Sequence, residues 1–153
     1  MKEFEEKLKA FMSEQGIQGT HLVFSNSCHS VEEAARASGT DTENIIKNIC
    51  LIGDGRLMVA IVKGEDRVDR SLIKEILNLN KVKTASPDEI LKNTGYPCGG
   101  VPSFGFEALF LIDSRVMEKD LVYSGGGSLN SLLVISPREI LRANKGMVAD
   151  IRK

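Results

Sequence analysis

Between Gly95 and Gly105 the chain reads Gly-Tyr-Pro-Cys-Gly-Gly-Val-Pro-Ser-Phe-Gly, four glycines and two prolines in one short stretch. Each proline lacks an amide donor and each glycine gives up much freedom on ordering, so neither a regular helix nor a central strand forms here. The segment must be a shaped loop. Ahead of it, Ser86-Pro87-Asp88-Glu89 is a helix start, with Ser86 as cap, Pro87 at the first helical position and Glu89 completing a capping box. Behind it, Ala108-Leu109-Phe110-Leu111-Ile112 reads as a buried strand. A glycine-rich loop feeding a core strand can aim several backbone N–H groups into one concavity, as proteins do to hold a phosphate or an oxyanion. A tight connection without a ligand is the alternative reading.

The remaining segments supply the frame. Phe4, Leu8, Phe11 and Met12 recur at helical spacing and Gly16 follows as a cap, so the chain opens on an amphipathic helix. His21-Leu22-Val23-Phe24 is a short strand, and Ser30-Val31-Glu32-Glu33 opens a small helix that Gly39 stops. Two apolar runs, Ile45 to Ile52 and Leu57 to Val62, flank Gly53-Asp54-Gly55-Arg56 and predict a hairpin whose second strand is covered on both faces. Asp69 caps a helix predicted through Leu79, with Leu72, Ile73, Ile76 and Leu77 on its buried side, and Lys81 to Thr84 is a short strand. Asp113 caps a helical turn, and Leu121-Val122-Tyr123 leads into a second glycine-rich connection, Ser124-Gly125-Gly126-Gly127-Ser128. Leu132 to Ile135 is another strand, Ser136-Pro137-Arg138-Glu139 repeats the earlier capping pattern, and Met147 to Ile151 forms a last strand. The expected fold is α+β, about seven strands and four or five helices, with a mixed sheet curled into a barrel-like core surrounded by helices and both glycine loops near one rim.

At 153 residues, 42% apolar and 27% charged, one domain over residues 1–153 is expected. A formal net charge of −1 argues against a broad basic stripe and confines any nucleic-acid contact to a small patch. Cys28, Cys50 and Cys98 show no CxxC spacing and leave one thiol over after any pairing, which fits a reducing compartment. His21 and His29 are the only histidines, and Cys28-His29 offers at most half of a tetrahedral site, so neither metal nor cofactor is expected. An acidic N-terminus and no apolar run of membrane-spanning length place the protein in the cytoplasm, away from membranes. Lys47 breaks the first strand of the hairpin. It is either a surface lysine whose stem snorkels out or a cation at the mouth of a pocket, a strong partner there for a phosphate or a polarised carbonyl.

The Gly95 to Gly105 run resembles the glycine/proline loop of the YbaK and prolyl-tRNA-synthetase-associated domains, the aminoacyl-tRNA deacylases that edit mischarged tRNA. The order of Ile45-Ile46-Lys47-Asn48, that loop, Val122-Tyr123-Ser124-Gly125-Gly126-Gly127 and Leu132 to Pro137 fits the same family, from about Phe24 to the C-terminus. The resemblance implies a pocket for the 3′-terminal aminoacyl-adenosine, Lys47 against the terminal phosphate or substrate carbonyl, and the amides of the Gly99 to Ser103 loop, with Gly99 and Gly100 as its catalytic members, on the developing oxyanion. Val101, Pro102 and Ser103 would complete one wall, and Gly125, Gly126, Gly127 and Ser128 another. Two departures bear on the substrate: Cys98 stands where many members have glycine, and Gly125 to Asn130 lacks the charged residues of some bacterial members.

The implied partner is the tRNA acceptor end, with an aminoacyl-tRNA synthetase as a second partner class; the implied substrate is tRNA for proline carrying Cys or Ala. No serine, histidine and acid announce a triad, which suits chemistry assisted by the substrate. Cys98 as nucleophile is a rival that needs a nearby base. A non-catalytic module binding aminoacyl-tRNA or a nucleotide is the other class of function. Tyr96, Phe104 and Phe106 are open to stacking on the terminal adenine or to packing in the core.

Overall fold

The computed structural model describes residues 1–153. Helix α1 (Lys2–Gln15) ends on Gly16 in the left-handed conformation and leads into strand β1 (Thr20–Val23). Helix α2 (Val31–Ser38) carries both halves of the expected capping box between Ser30 and Glu33. Strands β2 (Ile46–Gly53) and β3 (Arg56–Lys63) form the expected hairpin across an Asp54-Gly55 turn in which both residues have positive φ. Residues 58–62 of β3 are all buried, so both of its faces are covered.

Helix α3 (Arg70–Ile76) is shorter than the apolar spacing implied. Asn78 adopts a left-handed conformation, Leu79 N–H returns to Lys74 O at 2.9 Å and Asn78 N–H to Glu75 O, a Schellman-type cap that ends the helix before Leu79. Ile76, expected on the buried side, is 41% exposed, while Leu77 and Leu79 pack from the turn. Then follow β4 (Val82–Thr84), α4 (Pro87–Thr94) with its complete Ser86/Glu89 box, and β5 (Leu109–Asp113). Asp113 does more than cap a turn. Fully buried at the end of β5, it accepts from Ile151 N–H at 2.9 Å and Arg152 Nη1 at 2.9 Å, and so ties down the C-terminus, while Arg115 N–H also donates to it.

The chain closes with β6 (Val122–Gly125), β7 (Ser131–Ile135), α5 (Pro137–Asn144) and β8 (Met147–Ala149). The second Ser-Pro-x-Glu motif caps its helix through Ser136, but Glu139 turns away to accept from Gln18 N–H at 2.8 Å and to pair with Arg142. The sequence repeat is therefore only half a structural repeat.

Eight strands divide into two sheets, a three-stranded antiparallel one in the order β1-β7-β6 and a five-stranded one in the order β4-β2-β3-β5-β8. The larger is mixed: β3 pairs β5 and β5 pairs β8 in parallel, while β2 pairs both β4 and β3 antiparallel. The expected barrel does not close. β1, β6, β4 and β8 are the sheet edges, and the backbone pairing that links the two sheets is a single bridge between Ile45 and Tyr123. The largest apolar cluster lies between the two sheets, with Leu8 and Met12 of α1, Val59 and Ile61 of β3, and Leu133 of β7. A second cluster, around Leu51, Met58 and Ile73, packs α3 against the outer face of the larger sheet. No helix is long and apolar enough to cross a membrane.

Candidate functional site

At the junction of the sheets lies a cavity of about 380 Å³, within the usual size of small-ligand sites. Its apolar lining includes Ile46, Cys50, Ile90, Val101 and Leu132, and Lys47, Asn48, His29, Gly99 and Gly125 bring polar groups to it.

The two glycine loops interlock. Gly127 N–H donates to Gly100 O at 2.8 Å, and Gly125 lies against the Val101 carbonyl, whose carbon would sit 2.8 Å from any Cβ placed there. Gly99 has φ +93 and packs on the His29 ring, with Cε1 only 2.6 Å from where a Cβ would stand; backbone geometry and crowding both require glycine.

A polar ring fastens both loops to β2. Asn48 Nδ2 donates to Val101 O at 2.8 Å and to Ser124 Oγ at 3.2 Å, Ser103 Oγ donates to Asn48 Oδ1 at 2.8 Å, and Ser103 and Ser124 lie 2.7 Å apart. Every group of this ring has a partner, so the ring positions the loops without leaving a buried orphan. Asn48→Asp keeps the shape but sets a carboxylate against the Val101 carbonyl; it is expected to cost about 2 kcal/mol, read as a lower melting temperature, and to reduce any activity at the cavity.

Helix α1 backs the second loop. Glu5 is only 7% exposed and accepts from the Ser128 hydroxyl at 2.7 Å, while His21 Nε2 donates to Gly126 O at 2.8 Å. Gly126, Gly127 and Ser128 thus meet α1, β1 and the start of β7 rather than the cavity, whereas Gly125 faces it. On the first loop Gly99 and Val101 line the cavity; Gly100, Pro102 and Ser103 lie behind it. Gly100 N–H is spent on Pro97 O at 2.9 Å, and the amides of Gly99 and Val101 are left with no acceptor in the chain.

Lys47 lines the cavity from the second position of β2, and its ammonium makes no hydrogen bond or ion pair with the chain. Burial holds its ammonium below the usual lysine range; Asp66 draws it back up, Arg67 pushes it further down and Glu32 favours the charged form. Of the two expectations for Lys47, a snorkelling surface lysine or a cation at a pocket mouth, the structure shows a half-buried side chain that lines the cavity.

All three cysteines line this cavity. Burial, helped by Cys98, pushes the Cys50 thiol up to about 12, and burial with Glu33 raises Cys28, so both are inert as nucleophiles at neutral pH. Tyr96 and Phe104 are fully buried, Phe104 against Phe11 and Tyr96 between Phe4 and Phe106, so neither is available to stack on a base. Asn48 and Glu5 carry no expected role of their own in the sequence, while Ser124 is there only the start of the second glycine-rich connection and His29 only half of an incomplete metal pair. For Asn48 a signal exists: it is the one uncharged polar side chain in an otherwise apolar strand, next to Lys47.

The structure is thus a two-sheet α+β domain whose largely apolar cavity is lined by a lysine without a partner and by two loop residues whose amides have no acceptor in the chain. The chain belongs to the aminoacyl-tRNA editing domain family, whose model matches residues 25–143. It is 29% identical over 120 residues to the uncharacterized protein YwhH of Bacillus subtilis, covering 76% of each chain. It is 27% identical over 108 residues to the proline–tRNA ligase of Oleidesulfovibrio alaskensis, which covers 69% of this chain but only 19% of the ligase. Among solved structures, a hypothetical protein with 29% identity superposes with TM-score 0.89 over 96% of this chain and 99% of its own. A candidate trans-editing enzyme for prolyl tRNA synthetase, 23% identical, has the same fold at TM-score 0.90 over 97% of this chain and 96% of that one. Helix α1 and strand β1, which brace the second glycine loop, precede the matched span.

Proposed function

We propose that this chain, as one editing domain over residues 1–153, hydrolyses the ester of mischarged aminoacyl-tRNA in trans, with tRNA for proline carrying Cys or Ala as the substrate. The observation that supports the reading is the unpaired, half-buried Lys47 lining a cavity together with Gly99 and Val101, whose amides have no acceptor in the chain. The 3′-terminal adenosine enters at the Lys47 side, and the aminoacyl side chain turns towards Ile46, Cys50 and Ile90, an apolar floor suited to a small side chain. Water, assisted by the ribose hydroxyl or by the substrate's own side chain, adds to the ester carbonyl. The negative charge on the carbonyl oxygen is met by Gly99 N–H, Val101 N–H and Lys47, while Gly100 shapes the loop. The C–O bond to the ribose then breaks, the ribose oxygen takes the proton given up by water, and free amino acid leaves. No protein nucleophile is required.

The test is release of amino acid from Ala-, Cys-, Ser- and Pro-tRNA. Selective release of Ala or Cys from tRNA for proline is the expected result. Saturable binding to the panel without release would instead establish the binding module, which the same cavity also suits.

A further inference from the structure

We infer that Arg67 and Arg70 extend the cavity mouth into a cationic rim that holds the phosphates of the single-stranded RNA leading to the terminal adenosine; this rests on the function proposed above. The placement follows from strand alternation. On β2, the even positions Ile46, Asn48 and Cys50 face the glycine loops, whereas Ile49 and Leu51 pack with Ile73 of α3 in the outer cluster. Lys47 shares the parity of Ile49, which also lines the cavity, so the two mark the side of the cavity from which Arg67 acts on Lys47. Arg67 and Arg70 flank Val68, which packs on that same cluster, and Arg70 begins α3. Arg70 Nη1 donates to Thr84 Oγ1 at 3.4 Å, and Thr84 itself lines the cavity.

These three cations are not used for folding. Arg67 and Arg70 are exposed, and neither they nor Lys47 forms an ion pair. Of the carboxylates closest in sequence, Asp66 pairs with Arg115 through Oδ1 at 3.0 Å while also acting on Lys47, and Asp69 accepts from Leu72 N–H as the cap of α3. Glu32 is the remaining acid that acts on Lys47. A cation in the first turn of a helix also opposes the helix dipole, so Arg70 gains nothing from its position. In a chain of net charge −1, clustering unneutralised cations beside a cavity is electrostatically unfavourable until a polyanion covers them. An exposed, sequence-indifferent guanidinium pair suits the RNA backbone rather than a base edge.

The experiment is binding of uncharged RNA hairpins, one with a 3′ single-stranded overhang and one blunt, over a range of KCl concentrations. Each single-strand phosphate contact adds about 0.7 to the slope of log K against log salt, so Arg67→Ala/Arg70→Ala is expected to lower the overhang slope by about 1.4. The same variant should bind that RNA about tenfold more weakly, Arg67→Lys/Arg70→Lys should restore the slope, and Lys9→Ala, on α1, should not change it. An unchanged slope in the alanine variant, or an equal drop with blunt RNA, would overturn the rim. Because the RNA carries no amino acid, this outcome is independent of turnover; failure of the deacylase reading would show as absent amino-acid release by the wild type.

Discussion

Lys47→Met is expected to slow ester hydrolysis by about 100-fold or more while raising the melting temperature at neutral pH. Both effects come from one fact: the ammonium is half-buried and has no partner within the fold. Burial lowers its pKa below that of the unfolded chain. Below that lowered pKa the folded state carries a charge it solvates poorly, so the penalty is fully present at neutral pH. It is relieved as pH rises through the folded value. Methionine has a similar length and no charge, so it removes the penalty together with the cation that meets the oxyanion or phosphate. The melting-temperature gain should accordingly shrink at high pH. Wild-type activity should fall on the alkaline side earlier than an ordinary lysine would dictate, and Lys47→Met should lack that limb. A variant with unchanged turnover would remove Lys47 from the mechanism.

Gly125→Ala is expected to be the most damaging single methyl group in the chain. The added carbon meets the Val101 carbonyl, with its carbon at 2.8 Å and the Gly100 oxygen at 3.1 Å, and backbone cannot rotate aside as a side chain would. Separating the loops breaks the Gly127 to Gly100 bond and strains the Asn48 ring, for an expected loss of about 2–4 kcal/mol in thermal or denaturant unfolding and about 100-fold in turnover. Gly39→Ala is the control. Its φ is +75 but no atom lies within 4 Å of the added carbon, so only backbone strain, about 1 kcal/mol, is expected, with turnover retained.

Local chemistry was legible in the sequence where it closes within a few residues. The boxes at Ser30 and Ser86, the Asp54-Gly55 turn and the glycine caps all read correctly because donor and acceptor are neighbours along the chain. The loops were legible as loops, and Lys47 as a residue in question. What the chain did not disclose are pairings across long separations. Asn48 meets Val101, Ser103 and Ser124, and Glu5 meets Ser128, contacts that no local pattern encodes. The same limit explains the barrel that did not close. Strand count and alternation say which faces are buried, but whether β1 finds β4 or β8 depends on the twist of two sheets, here joined by backbone pairing at Ile45 and Tyr123 alone. Asn78 ended α3 early because a left-handed asparagine cap competes with apolar spacing that would have carried the helix on to Leu79.

Single-turnover reaction of Cys- and Ala-charged tRNA for proline, with protein in excess, tests hydrolysis most directly. The expected result is first-order loss of the ester, free amino acid in equal amount and tRNA left with an intact 3′ end; tRNA that is bound to saturation while its ester decays no faster than in buffer would contradict it.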